Sequence, residues 1–503
     1  MLESLKIDCE SPVPVYRQIA GAILDQADAG GMAAGHRLPA TRDLARSLGV
    51  NRNTVVAAYD LLIRDGRARS HTGRGTFLVD PPVAEKHDDN WYGGFSQAVT
   101  GAATAGLQSI YRLAISTEGI SFVGSYPADE LIPVRAFERA MQKALGARGV
   151  RNLSYGPTAG QPELREAIAG RMRRDGSDVG ADDVLVTNGA QQALQLVFRT
   201  FLDRGDPIAI EEPTYTGALS ALESIGARPL GVPVDERGIR PDLLEVVLER
   251  QRPKLLYLQP TFHNPTTCEM DTERRQQVLE LARRYRCTIV EDDWGGELRF
   301  KGQRLATLHA MDGGAHVIYV STFSKNLMPG LRLGWLTAPT PVLRRLIELK
   351  RVQDCGTSPI LQAALHAFLE EGELERHLEQ TLPRYLARRD AMLTALEQSF
   401  PEGAHWTRPR GGLFIWVTLP QAIDGNDLFV TARQRGVLYS RGELFHSDGS
   451  GRHQLRLTYS AATTDEIARG VATLGQLVRE RWPKDNDSRT DGETGSVEAV
   501  PIF

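Results

Sequence analysis

Apolar positions along the 503-residue chain change their spacing twice. Up to about residue 80 they recur at helical intervals. Residues 40–50 read as a short helix closed by Gly49. A second helix follows at once, with Val55, Tyr59 and Leu62, joined by Val56 and Ile63, as its buried stripe. The string Thr72-Gly73-Arg74-Gly75-Thr76-Phe77 then predicts a β-hairpin. From residue 81 to 106 periodicity is lost in Pro81-Pro82, a run of charges and repeated glycines, the pattern of a linker. Residues 107–482 alternate short apolar runs with amphipathic helical stretches, which predicts an α/β domain on a mostly parallel sheet. The candidate strands are 183–187, 207–211, 255–259, 288–292, 317–321 and 333–338. Residues 483–503 are polar and read as a disordered tail.

Composition adds little until it is read locally. With 41% hydrophobic and 24% charged residues and a formal net charge of -4, the chain as a whole does not look like a nucleic-acid binder. Between Gly35 and Leu78, however, stand eight arginines and three acids, a local charge near +5. Cys9, Cys268, Cys287 and Cys355 are too scattered for a disulfide framework or a zinc site, so reduced thiols and no metal are expected. No apolar run has a membrane-spanning length and the first ten residues lack a signal-peptide core, so the expected location is the cytoplasm.

Two helices around a tight glycine turn form a helix-turn-helix, and a Gly-Arg-Gly hairpin after them makes it winged. The first turn of the second helix presents Arg52, Asn53 and Thr54. The string from Gly35 to Val55, with Ala58-Tyr59, Leu62, Gly66 and the wing, resembles the GntR family of winged-helix regulators. Members usually have Ser where Asn51 stands, an equally good N-cap. The resemblance implies DNA contacts at Arg42, Arg52, Asn53, Thr54 and Arg74, with Arg42 and Thr54 on phosphate and Arg52 on base edges.

The strongest chemical signal is Tyr319-Val320-Ser321-Thr322-Phe323-Ser324-Lys325, followed by Pro329-Gly330-Leu331-Arg332. A lysine after a strand, among hydroxyls and with an arginine seven positions on, suits a Schiff base with pyridoxal 5'-phosphate whose phosphate Thr322, Ser324 and Arg332 satisfy. Asn188-Gly189-Ala190-Gln191 leaves one strand and opens a helix, offering backbone amides to that phosphate. Asn264, in His263-Asn264-Pro265-Thr266, can donate to the cofactor's phenolic oxygen. Asp292 ends a buried strand and can keep the pyridine nitrogen protonated.

Residues from about 107 to 480 resemble the class I/II aminotransferases of fold-type I, whose smaller C-terminal α/β subdomain is expected here too. That resemblance implies that Tyr215 stacks on the pyridine ring, Arg456 grips a substrate carboxylate, and Tyr155 reaches the phosphate of a facing subunit. Related proteins generally carry Tyr two positions after the first Asp, where this chain has Trp294. An indole N–H donates one hydrogen bond but cannot accept one.

A winged helix (1–80) and linker (81–106) ahead of such a domain (107–482) resemble the MocR subfamily of GntR regulators. The resemblance implies a head-to-tail homodimer on operator DNA that senses an amino acid or amine by transaldimination at Lys325. The alternatives are an active aminotransferase with a DNA-binding appendage, and a DNA-binding protein with an inert C-terminal domain.

Overall fold

Helix α1 (Val15–Asp28), α2 (Thr41–Leu48) and α3 (Arg52–Arg64) pack around Ile19, Ile23, Leu44, Val55, Ala58, Tyr59 and Leu62. The computed structural model describes residues 14–28, 36–64, 67–71, 75–79 and 119–483. The chain divides into two units, Met1–Phe95 and Ser96–Phe503.

In the first unit Gly49 closes α2 at φ 65°, a backbone shape that favours glycine. The Asn51 side chain then accepts the Asn53 N–H at 2.9 Å and caps α3. Two residues of the expected stripe on α3 do not fill it. Val56 is half-buried and Ile63 is 37% exposed. At 3.6 residues per turn Val55, Tyr59 and Leu62 share a face with Ala58, and positions 56 and 63 fall on its edge. The buried Tyr59 hydroxyl reaches the Pro39 carbonyl at 2.9 Å. Strands β1 (Ala68–His71) and β2 (Gly75–Leu78) pair antiparallel, from Ala68 opposite Leu78 to His71 opposite Gly75. Arg74, the linker and all of the tail but Pro483 lie outside the described residues.

The second unit has two lobes, each with its own sheet. Before the larger sheet comes β3 (Ile120–Phe122). The larger sheet contains β4 (Val184–Thr187), β5 (Pro207–Glu212), β6 (Arg228–Asp235), β7 (Gly238–Ile239), β8 (Leu255–Leu258), β9 (Thr288–Asp292), β10 (Val317–Thr322) and β11 (Gly334–Thr337). Their order is β4-β11-β10-β9-β8-β5-β6-β7. The ladders from β10 through β9, β8 and β5 to β6 are parallel, whereas β11 runs antiparallel to both its neighbours. Apolar clusters cover both faces, so β4, β8 and β10 are buried at every position.

The smaller sheet contains β12 (His405–Trp406), β13 (Phe414–Thr418), β14 (Val437–Arg441) and β15 (Gln454–Thr458), ordered β12-β13-β15-β14-β3. One of its edge strands, β3, precedes the larger sheet in the chain and pairs parallel with β14. Helices Glu373–Ser399 and Thr464–Glu480 pack against it around Phe122, Leu396, Ile415, Leu455 and Leu474.

Candidate functional site

The carboxyl ends of β4, β9 and β10 bring the sequence motifs together, as strand ends do in open α/β sheets. After β4 the chain turns at Asn188 and Gly189 and enters the helix Ala190–Phe201. Gly189 has φ 83°, and a Cβ there would come within 2.8 Å of Arg332 Nη2. Arg332, itself at φ 51°, donates to the Asn188 carbonyl at 3.3 Å. Thr322 Oγ1 accepts the Ser324 N–H at 3.1 Å and lies 3.0 Å from the Ser324 hydroxyl. A helix start, two hydroxyls and a guanidinium therefore lie at the neighbouring ends of β4, β11 and β10, an arrangement that can receive an anion. The Gln191 side chain is otherwise engaged: it donates to Gly217 O at 2.7 Å and accepts from the Tyr215 hydroxyl at 3.3 Å.

Asp292 is buried at the end of β9, the strand beside β10. Its Oδ2 accepts from the Tyr257 hydroxyl at 2.7 Å and from Gln259 Nε2 at 2.9 Å. Its Oδ1 is buried without a partner among the described residues. Burial raises the carboxyl to about 6, against the pull of both donors. Tyr257 and Gln259 were not legible as site residues, because they read as the end of an apolar strand. The neighbouring acid serves the scaffold instead. Asp293 accepts from the Tyr319 hydroxyl at 2.7 Å and pairs with Arg304 at 2.6 Å.

Lys325 points its amine at the Ser125 carbonyl, 2.6 Å away. Burial lowers the amine to about 8, and Arg456 and Arg332 push the same way while Asp292 opposes them. Arg456, from β15, is buried between the rings of Phe414 and Phe445, each centred 4.9 Å from its guanidinium carbon. It donates to Asn264 Oδ1 and the Val123 carbonyl, both at 2.9 Å, and to Ser440 Oγ at 3.3 Å. Every acceptor is neutral. Burial brings the guanidinium down to about 10. Val123 and Ser125 act here through backbone carbonyls, which no side-chain motif announces.

Trp294 stacks on Phe414, with centroids 5.4 Å apart and planes 21° from parallel, among Phe262, Leu298 and Leu413. Its indole N–H has no partner among the described residues. Tyr155 is not brought to the site of its own chain and stands 94% exposed. In the other unit Arg42, Arg52 and Asn53 are exposed and Thr54 is half-buried.

A family model for aminotransferase class I and II matches residues 123–474, and one for bacterial regulatory proteins of the gntR family matches residues 15–78. Relatives align across both regions. The HTH-type transcriptional regulator YisV of Bacillus subtilis is 32% identical over 93% of this chain and 97% of its own. The probable rhizopine catabolism regulatory protein MocR of Rhizobium meliloti is 30% identical over 88% of this chain and 90% of its own. The chain belongs to the MocR-type fusions of gntR-family and aminotransferase domains. Among solved structures, its MocR-type aminotransferase domain resembles LysN, an α-aminoadipate aminotransferase of Thermus thermophilus complexed with N-(5'-phosphopyridoxyl)-L-leucine. The TM-score is 0.73 at 35% identity, over 78% of this chain and 98% of that one. The cofactor of the MocR-type domain is pyridoxal phosphate. Among the described residues no helix is long and apolar enough to cross a membrane.

Proposed function

We propose that this MocR-type chain is a cytoplasmic regulator that reads operator DNA with its winged helix and senses an amino acid or amine by transaldimination at Lys325. Arg456 carries the reading. A buried guanidinium with only neutral acceptors among the described residues is a receptor for an anion, and it lies beside a half-buried amine of lowered basicity. An amino compound with a carboxylate meets both.

Pyridoxal phosphate fits the residues present. Asp292 Oδ1, buried and without a partner among the described residues, can accept from a protonated pyridine nitrogen, and the absence of a Cβ at Gly189 leaves the Arg332 guanidinium room beside the helix start, where it can meet a phosphate. Lys325 would hold the aldehyde carbon. The amides of Gly189, Ala190 and Gln191, the hydroxyls of Thr322 and Ser324, and Arg332 would hold the phosphate. Tyr215 would stack on the ring. Asn264, whose oxygen is taken by Arg456, keeps its NH2 for the phenolic oxygen. When bound, the cofactor supplies an electrophilic carbon on which one amine can replace another. The Trp294 indole can donate to a ligand but cannot take a proton from it, which favours sensing over turnover.

On DNA, Arg52 and Asn53 would meet base edges, Arg42 and Thr54 phosphates, and Arg74 the backbone or minor groove from the wing. Val150 and Leu153 are exposed near Tyr155, which supports a head-to-tail homodimer in which Tyr155 reaches the partner's phosphate. The effector must favour one arrangement of the two winged helices over another, or it shifts nothing. The test titrates candidate amines while following the visible absorbance of the bound cofactor and the footprint on the protein's own upstream DNA. One compound should change both. Sustained turnover with an oxo-acid acceptor, and no change in the footprint, would instead establish the second reading, an aminotransferase with an appended DNA-binding domain. The intact set of Lys325, Asp292 and Arg456 and the likeness to LysN are what favour that second reading.

A further inference from the structure

The turn at Asn188 and Gly189 is held from behind by an ion pair between a buried lysine and a half-buried aspartate. Lys350, on the helix Thr340–Asp354, is fully buried. Its Nζ donates to Gln192 Oε1 at 2.9 Å and to Asp354 Oδ2 at 2.7 Å. The same Asp354 oxygen accepts from Asn188 Nδ2 at 2.7 Å and from Gln192 Nε2 at 2.6 Å. Gln192 Oε1 also accepts the backbone N–H of Asn188 at 2.8 Å. With Arg332 on its carbonyl, Asn188 is gripped through its backbone on both sides and through its side chain. An ordinary structural ion pair would tie two elements together. This one converges on a single residue, the one before Gly189.

Its charges matter as much as its geometry. A bare carboxylate behind the turn would repel the anion in front of it. Lys350 cancels that charge at the cost of burying an ammonium, which is tolerable only because Asp354 and Gln192 satisfy it.

We propose that Asp354 and Lys350 are positioning residues for the phosphate of pyridoxal phosphate, Asp354 fixing the turn and Lys350 neutralising the acid that fixes it. The proposal rests on the turn being the phosphate seat. The division of labour also explains why the helix Thr340–Asp354 ends where it does. Asp354 is its last residue, followed by Cys355 at φ 60° and by Gly356, whose N–H the acid also accepts at 2.9 Å.

The test compares pyridoxal phosphate with pyridoxal, which differs only in lacking the phosphate, as ligands of the full-length protein freed of cofactor. Dissociation constants are read from the change in visible absorbance. In Lys350→Met the phosphate compound should lose about tenfold in affinity and pyridoxal less than about twofold, with a larger loss at low salt. The double variant Lys350→Met/Asp354→Asn buries no charge and serves if the single one does not fold. It should recover part of the loss yet stay below wild type, because an amide oxygen accepts more weakly than a carboxylate. Arg332→Ala is the reference for the seat itself. If Arg332→Ala lowers the preference for the phosphate compound while both Lys350 variants keep it, the pair is merely structural and the proposal falls. Equal losses for both ligands in the Lys350 variants overturn it too. If Arg332→Ala also leaves the preference unchanged, the phosphate seat is misplaced and the reading beneath the proposal fails with it.

Discussion

An amine titrates where its surroundings let it, and Lys325 is half-buried near two arginines and one acid. With its midpoint brought to about 8, roughly a tenth of the amine is neutral at pH 7, against about one part in three thousand for an unperturbed lysine. The sign is clear: nucleophilicity rises with pH and levels off above 8. Labelling of cofactor-free protein by an amine-directed reagent, with peptide mapping, should place the Lys325 midpoint near that value. A midpoint above 10 would show an ordinary solvated lysine. Lys325→Ala should lose the visible absorbance of bound cofactor with circular dichroism unchanged. Arg456→Gln should weaken an effector carrying a carboxylate by about 2–5 kcal/mol and leave the corresponding decarboxylated amine nearly unaffected. Equal loss for both would mean that Arg456 only shapes the pocket. Lys325, Asp292 and Arg332 could be singled out because each carries a charged side chain at a strand end or on a motif, and Arg456 because of the family resemblance. The Val123 and Ser125 carbonyls, and the Tyr257 and Gln259 donors to Asp292, could not. Backbone acceptors have no residue type, and a polar group that ends an apolar strand looks like its boundary.

At the scale of elements the same contrast holds. Strands β4, β5, β8, β9, β10 and β11 lie within a residue of their expected ends, since burial on both faces writes a continuous apolar run. Strand β6 carries no such run, being exposed or half-exposed at most positions. The antiparallel course of β11 was invisible, because apolar pattern has no direction. In the winged helix, α3 depends on its cap. Asn51→Ala should destabilise that unit by about 1 kcal/mol, read as an earlier thermal transition, and should weaken all DNA sequences alike. Arg52→Ala should instead cost about 1–3 kcal/mol of discrimination between operator and unrelated DNA. A uniform loss across sequences would place Arg52 on phosphate.

For the whole molecule, association of two copies is the testable expectation. Val150, Leu153 and Tyr155 are more than half exposed, so Val150→Glu/Leu153→Glu should raise the monomer fraction in sedimentation. Wild-type protein that sediments as a monomer at micromolar concentration would remove the shared site. Strand β3 has a consequence in time. It is made early, yet its ladder partner β14 begins more than three hundred residues later. The carbonyls that accept from Arg456 and Lys325 follow directly on β3. A nascent chain can therefore complete the larger sheet and the turn at Gly189 while Arg456 has not yet been translated. The gntR-family domain is made well before the pocket that would govern it can close, so the pairing of β3, β14 and β15 is the earliest moment at which regulation can begin.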